Sequence, residues 1–315
     1  MLATRQREPG YDRVHCRVTI TGLRGGDGPG GMAATTNRVS ETASRPSPGR
    51  TVRIGRRRGT GWPEVATSIA LFVVLVIVLE QLLPALGIRS YILPTPSAVG
   101  KALLNDLLAG ALWRHVVTTL LEILLGWIVG SAVGFLLGVG LIQSPFLEAA
   151  LTPYIVAMQA VPKVALAPVI VVAIGYGEAS KVVIAALVSF FPILVNTMVG
   201  IRSADEQQLE LMRALRASRV QTLRWVQLPG AMPTIFGGLE VAVVFSVVGA
   251  IIGEFTGASR GLGYLIEQRS FAMDQAGVFS TLVILSTMGL VLDLLVRYAG
   301  RRMVYWQHIG HAVGM

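Results

Sequence analysis

An all-α membrane protein with six spans is what the sequence predicts, and three observations predict it. The 315 residues are 53% hydrophobic and only 14% charged, with a mean hydropathy of +0.62, a profile outside that of soluble globular chains. Apolar runs recur at roughly 65–83, 116–142, 148–175, 182–201, 234–253 and 278–296, each close to the ~20 residues that a membrane-crossing helix requires. One long polar segment, 203–233, interrupts them, so the chain leaves the membrane for water there.

The net charge of +9 does not signal nucleic acid, because residues 1–60 hold twelve Arg and four acids while the remainder has fifteen basic and fourteen acidic residues. That first segment is rich in Gly, Arg, Ser, Thr and Pro without periodicity, which predicts a disordered basic tail that keeps the amino terminus in the cytoplasm and meets membrane lipid. Met32 is a candidate start, since nothing before it reads as foldable. Arg56, Arg57 and Arg58 precede an apolar run too long for an export signal and without a small-residue cleavage site, so the run is an uncleaved first span. The expected organisation is a tail over 1–60 and a membrane domain over 61–315. The single cysteine, Cys16, excludes an internal disulfide.

Within the membrane domain, Glu80 near the end of the first span reaches the interface. Pro94 and Pro96 then break the chain, and Ala98, Leu103, Leu107 and Leu108 predict a short surface helix. The second span carries Gly126, Gly130, Gly134 and Gly138, a ladder that lets another helix approach closely. Gln143, Ser144 and Pro145 form a turn. Pro153, Pro162 and Pro168 interrupt the third span and free backbone carbonyls that protein or water must satisfy. The segment 175–181 is a tight connection, Pro192 lies inside the fourth span, and Gly257, Gly261 and Gly263 mark a loop between the fifth and sixth. Six spans place both termini and segment 203–233 on one side; Arg202, Arg213, Arg216, Arg219 and Arg224 identify it as the cytoplasm.

Segment 203–233 reads as two short helices. Ser203 with Glu206, and Ser218 with Gln221, have capping-box spacing, Leu209, Met212 and Leu215 give the first helix an apolar stripe, and Pro229 and Pro233 close the segment. Counting from Glu210, position seven is Arg216, position seventeen Val226, and positions nineteen and twenty Leu228 and Pro229. This register resembles the cytoplasmic loop of ABC importer permeases, which runs Glu-Ala-Ala, three residues, Gly, nine residues, Ile, one residue, Leu-Pro. Within that class it looks most like the permeases for nitrate, taurine and alkanesulfonates, and LPTPSAV at 93–99 resembles the same permeases between their first two spans. Leu211, Met212 and Arg216 depart from the two alanines and the glycine.

The resemblance implies a type I ABC importer permease architecture of six helices in the cytoplasmic membrane. It implies a pair of permease chains, expected as a homodimer, two ATP-binding subunits and an extracytoplasmic substrate-binding protein. ATP is used by a partner subunit, and no cofactor is expected on this chain. Glu210, Leu211, Met212, Leu215, Arg216, Ala217, Leu228 and Pro229 are then the residues expected to couple to the ATPase, and alternating access moves a small solute, an anion such as nitrate, taurine or an alkanesulfonate.

No phosphate loop, HExxH or triad spacing occurs, and the histidines fall in the tail, an outer loop (His115) and the carboxyl end, so no catalytic or metal-ligating residue is named. Candidates for the translocation pathway are the polar residues within the spans: Gln159, Lys163, Glu240, Ser246 and Glu254, with Glu122 and Asp293 behind them. Glu122, Glu254 and Asp293 are expected to snorkel or pair near span ends, and Lys163 to lie at the cytoplasmic end unless it meets an anion. A secondary transporter or channel would use these carboxylates for ion coupling, but the chain shows no internal repeat.

Overall fold

The structure is a computed structural model that describes residues 62–305 except 88, 91 and 111. The segment 1–60 with Met32 and Cys16, and the end with His308 and His311, lie outside the described residues. Helix α1 spans Trp62–Ala85, α2 Pro96–Leu108, α3 Leu112–Ile142, α4 Pro145–Ala160, α5 Ala167–Ile174, α6 Glu178–Arg202, α7 Glu206–Ala214, α8 Arg219–Thr222, α9 Leu228–Phe255, α10 Leu262–Phe271 and α11 Gln275–Met303. Among the described residues there is no strand. Five helices there are long and apolar enough to cross a membrane, and a sixth crossing exists if α4 and α5 count as one broken span.

Two spans differ from expectation. The third is not one helix over 148–175: α4 and the segment Lys163–Ile174 are bent by 84°. Pro162 supplies no N–H and holds extended backbone, so the helix cannot continue through it. The fifth starts earlier than 234. A π turn at Leu223–Gln227 joins α8 to α9 without a break, and the Leu228 amide donates to the Leu223 carbonyl. Pro229 has no amide to donate and its ring needs space in the preceding turn; the widened turn provides it. The polar segment therefore ends near Ser218, where the helix begins, rather than at Pro233.

The core is α3, α6 and α9, around Ile123, Ala185, Val243 and Ala250. Lipid is as apolar as leucine, so helices in a membrane associate through close packing and hydrogen bonds. The predicted glycine ladder supplies the packing. A Cβ on Gly134 would lie 2.7 Å from the Phe190 carbonyl oxygen, one on Gly138 3.0 Å from Thr197, and Gly126 and Gly130 abut Ala185 and Ser189 in the same way. Helix α9 returns the arrangement, since a Cβ on Gly249 would meet the Ala185 Cα at 2.7 Å. Hydrogen bonds tie the same faces: Ser246 donates to the Ile123 carbonyl at 2.8 Å and the Trp127 indole to the Leu239 carbonyl at 3.2 Å.

The remaining helices dress that core. On α1 Glu80 accepts from the Ser97 amide at 3.0 Å and its hydroxyl at 2.7 Å, tying α1 to the start of α2, where Thr95 caps the helix. Arg269 of α10 holds Asp106 of α2 and donates to Thr281 of α11 at 2.7 Å, while Ser280 also donates to Asp106. These contacts join the two short helices to the start of α11.

Gly134→Leu is expected to destabilise the detergent-purified protein by about 1–3 kcal/mol or more, because the added atoms meet backbone. Gly140→Ala faces open space and is expected to be neutral or stabilising by up to about 1 kcal/mol. Thermal unfolding of the two variants checks this, and a Gly134→Leu protein as stable as the native one refutes the packing account.

Candidate functional site

The polar loop between α6 and α9 is built from short-range hydrogen bonds. The residue that caps α7 is Asp205, whose carboxylate accepts from the Gln207 amide at 3.0 Å, and not Ser203, which instead caps the end of α6 by donating to the Gly200 carbonyl at 2.8 Å. Asp205 stands one residue before the helix, and its shorter span to the amide wins the cap. The second capping box is as read: the Ser218 hydroxyl accepts from the Gln221 amide at 3.2 Å and the Gln221 side chain accepts from the Ser218 amide at 2.7 Å.

Between the two helices lies a Schellman turn. The Ala217 amide donates to the Met212 carbonyl and the Arg216 amide to the Arg213 carbonyl, both at 2.9 Å, with Arg216 at φ +53°. That left-handed position is where the resembled loop has glycine, so the backbone keeps the turn and the side chain carries the strain, of about 1 kcal/mol. Helix α7 accordingly stops at Ala214 and does not run on to Ala217.

Of the expected coupling residues, Met212 and Ala217 turn partly inward, as does Leu209 beside them, while Glu210, Leu211, Leu215 and Arg216 are exposed. Val220 and Trp225, which sequence reading did not single out, add to the exposed apolar surface on the following helix. Leu228 packs against the cluster of Ile201, Ala231 and Ile235, anchoring the loop's exit. Arg219 donates to the Gln143 carbonyl at 3.2 Å, and Arg202 pairs with Glu148 of α4, so the loop and α6 are tied to the turn between α3 and α4. A cavity of about 480 Å³ opens there, lined by Gln143, Leu209, Arg213 and Gln227.

The pathway candidates are not gathered into one site. Gln159 and Lys163 share a cavity at the elbow between α4 and α5, against Phe191 and Pro192. Phe191 lies at the middle of α6 and the Lys163 ammonium is 4.8 Å from its ring centre, so the elbow carries Lys163 beside the middle of α6 and not beside either of its ends. Glu240 faces Arg297 at 3.8 Å, and Arg297 also binds Asp293 at 2.8 Å one turn away on α11. Ser246 is wholly buried on its bond to Ile123, and Glu254 is wholly buried too.

Glu254 belongs to a sealed cluster near the other ends of α3, α6 and α9. Its carboxylate accepts from the Thr119 hydroxyl at 2.6 Å and from the Gly263 amide, and the Thr119 hydroxyl accepts from the Leu262 amide at 2.8 Å. Beside it Lys181 donates to Glu122 at 2.8 Å, both nearly inaccessible. Glu122 is therefore paired inside the protein and Glu254 hydrogen-bonded there, and neither snorkels. His115 lies within α3 rather than in an outer loop, with its Nδ1 3.0 Å from the Gly261 carbonyl and 3.1 Å from the Gly261 amide. Gly261, at φ +118° and pressed against the Glu254 carboxylate, leaves no room for a side chain. Lys181 was hidden to sequence reading because it follows a polar connection; the signal was opposite charge, one lysine and two glutamates on three different spans.

Fold and site together define a multi-pass membrane protein with a polar loop at one end and ionisable groups paired inside the spans. Residues 130–305 match the family described as binding-protein-dependent transport system inner membrane component. The chain is 36% identical to the riboflavin transport system permease protein RibX of Chloroflexus aurantiacus, over 78% of this chain and 91% of that protein. It is 34% identical to the formylaminopyrimidine transport permease protein ThiX of Halalkalibacterium halodurans, over 72% and 90%. To the taurine transport system permease protein TauC of Escherichia coli it is 28% identical, over 80% and 94%. The protein belongs to the family of binding-protein-dependent inner-membrane permeases, the membrane components of ABC importers. It is a transport component and not an enzyme.

Removing one member of the buried pair leaves the other charge unpaired, so Lys181→Met is expected to destabilise the purified protein by about 3–5 kcal/mol. The double variant Glu122→Gln with Lys181→Met is expected to recover most of that loss. Thermal unfolding of both variants and of Glu122→Gln closes the cycle, and additive losses would show that the two residues do not interact.

Proposed function

We propose that this chain carries a small solute, an anion such as nitrate, taurine or an alkanesulfonate, across the cytoplasmic membrane by alternating access driven by ATP hydrolysis in a partner. The observation that carries the coupling is the cytoplasmic loop. Leu211, Leu215, Val220 and Trp225 are apolar and exposed on it, and Glu210 is exposed beside them without an ion-pair partner among the described residues. Apolar surface on a segment facing water marks a contact with another protein. We assign that contact to the ATP-binding subunit, with α7 and α8 seated in its cleft and Leu228 and Pro229 passing its movement into α9.

Residues 61–315 form the permease domain in this reading, and 1–60 stays on the cytoplasmic side with the carboxyl end. Two such chains pair as a homodimer with two ATP-binding subunits, and an extracytoplasmic binding protein delivers the solute. The relatives are named for riboflavin, a formylaminopyrimidine and taurine; the anionic choice rests on the likeness of the loop and of LPTPSAV to the nitrate and sulfonate permeases.

With the chain expressed beside its ATPase and binding protein, Glu210→Lys is expected to keep normal membrane abundance while losing most solute uptake, and Arg216→Gly to keep both. Uptake and co-purification of the ATPase are the measurements; normal uptake by Glu210→Lys would remove α7 as the coupling element. Reporter fusions after Gly177 and after Arg202 are expected on opposite faces of the membrane, since α6 alone separates them.

A further inference from the structure

We propose that the elbow between α4 and α5 is a binding site for a small organic monoanion with an apolar tail, its charged group held by Lys163 halfway across the membrane. The proposal rests on reading the chain as an importer's permease and gives that reading a site.

The first observation is an imbalance of charge. On the long helices and α10, Arg202 has Glu148, Lys181 has Glu122, Arg269 has Asp106 and Arg297 has Asp293, while Arg114, Arg301 and Arg302, without an ion pair among the described residues, stand in the terminal turns of α3 and α11. Lys163 has no carboxylate within ion-pair distance among the described residues. Its ammonium donates to the Gln159 carbonyl at 3.0 Å and lies 4.8 Å from the centre of the Phe191 ring. An ammonium has three hydrogens to donate, so two remain for another acceptor. A cation at that depth is costly unless something offsets it, and such residues mark ion and substrate pathways.

The second observation is the cavity itself. It measures about 320 Å³, within the range of small-molecule pockets, and Lys163 is the one charged residue in its lining. Gln159 offers a side-chain amide that makes no hydrogen bond among the described residues. The Asn196 amide uses one N–H on the Pro192 carbonyl at 2.8 Å and keeps the other. Phe191, under the ammonium, with Val241 and Phe245 supplies apolar lining to the same cavity. One cation, two amide donors and an aromatic wall suit a sulfonate or carboxylate on a short hydrocarbon, and with no acid present they disfavour an amine.

The elbow explains why the site exists. Because Pro162 ends α4, the Gln159 carbonyl is free to accept from the lysine side chain, and the bend turns Lys163 toward α6. A straight helix would bond that carbonyl internally.

A lipid phosphate offers the same chemistry as a dissolved anion, so the test separates them. The full chain with its ATPase subunits, in phosphatidylcholine nanodiscs, is titrated with 1-butanesulfonate by saturation-transfer NMR, with butylammonium and 1-butanol as controls. The expected result is saturable binding of butanesulfonate well above both controls. Lys163→Met should weaken it by about tenfold or more, as for loss of one charged hydrogen bond, and Lys163→Arg should restore it to within about threefold. No saturable binding, or binding unchanged in Lys163→Met, overturns the site. Loss of binding when phosphatidylglycerol is added assigns the lysine to a lipid headgroup and also overturns it. Co-purified ATPase is measured in the same samples: if it is retained without anion binding, the site fails and the proposed coupling to an ATPase stands, whereas its absence from the native chain defeats that proposed coupling.

Discussion

Everything else in this structure depends on how closely α3 can approach α6. Four glycines at intervals of four put backbone against backbone, and the small residues Ala185, Ser189 and Thr197 receive them on the other side. In lipid the hydrophobic effect offers little between helices, so the short distance itself, with its dispersion contacts and weak hydrogen bonds, holds the pair. Gly249 and Gly253 bring α9 against the same stretch of α6, at Ala185 and Lys181. A helix squeezed from two sides has little freedom to rotate, which is why polar side chains on these three helices can be placed well enough to satisfy one another far from water.

That rigidity is unevenly distributed. At one end of the trio, Glu122, Lys181, Thr119 and Glu254 close a network sealed by the Gly261–Gly263 backbone. At the other end, α7 is held by its caps and α8 by the Arg219 contact, with large apolar side chains facing outward. Helices α1 and α4 expose most of their apolar side chains. A buried charge cluster favours one arrangement because alternatives strand a charge, whereas exposed helices with few side-chain bonds adapt to what covers them. The fixed part and the adaptable part are thus separate elements of one chain.

How much of this the sequence disclosed follows from the range of each interaction. The glycine ladder, the Ser218 capping box and the short helix carrying Ala98, Leu103, Leu107 and Leu108 were legible because their residues lie within a few positions of each other. The end of the polar loop was misread because proline usually stops a helix, and the compensation at Pro229 is a π turn that only coordinates reveal. Ser203 lost its cap to Asp205, a contest decided by two residues of spacing. The elbow was signalled by three prolines without its angle, and the Lys181–Glu122 pair joins residues 59 positions apart, beyond any local pattern. Arg216 was legible as a departure from the glycine of the resembled loop, and the backbone keeps the left-handed turn there all the same.

Helix α9 connects these regions physically. From Arg219 through the π turn to Phe255 the helix is continuous over 37 residues, a rod of roughly 55 Å at 1.5 Å per residue. Its first turns belong to the loop with the exposed Trp225, its middle presents Val241 and Phe245 to the elbow cavity, and its far end carries Glu254 into the sealed cluster. On the proposed reading, a push on the loop by an ATPase therefore has two places to be absorbed. One is the π turn, where hydrogen bonding is already irregular; the other is the wall between α9 and the elbow, where α4 packs through few side chains. The core between α3, α6 and α9 is too close to yield, since separating glycine-bearing faces by a fraction of an ångström forfeits much of the dispersion that joins them. Movement that reaches mid-span must then be expressed as displacement of the elbow against a fixed α6–α9 face, and Lys163 is the charged group standing on that boundary.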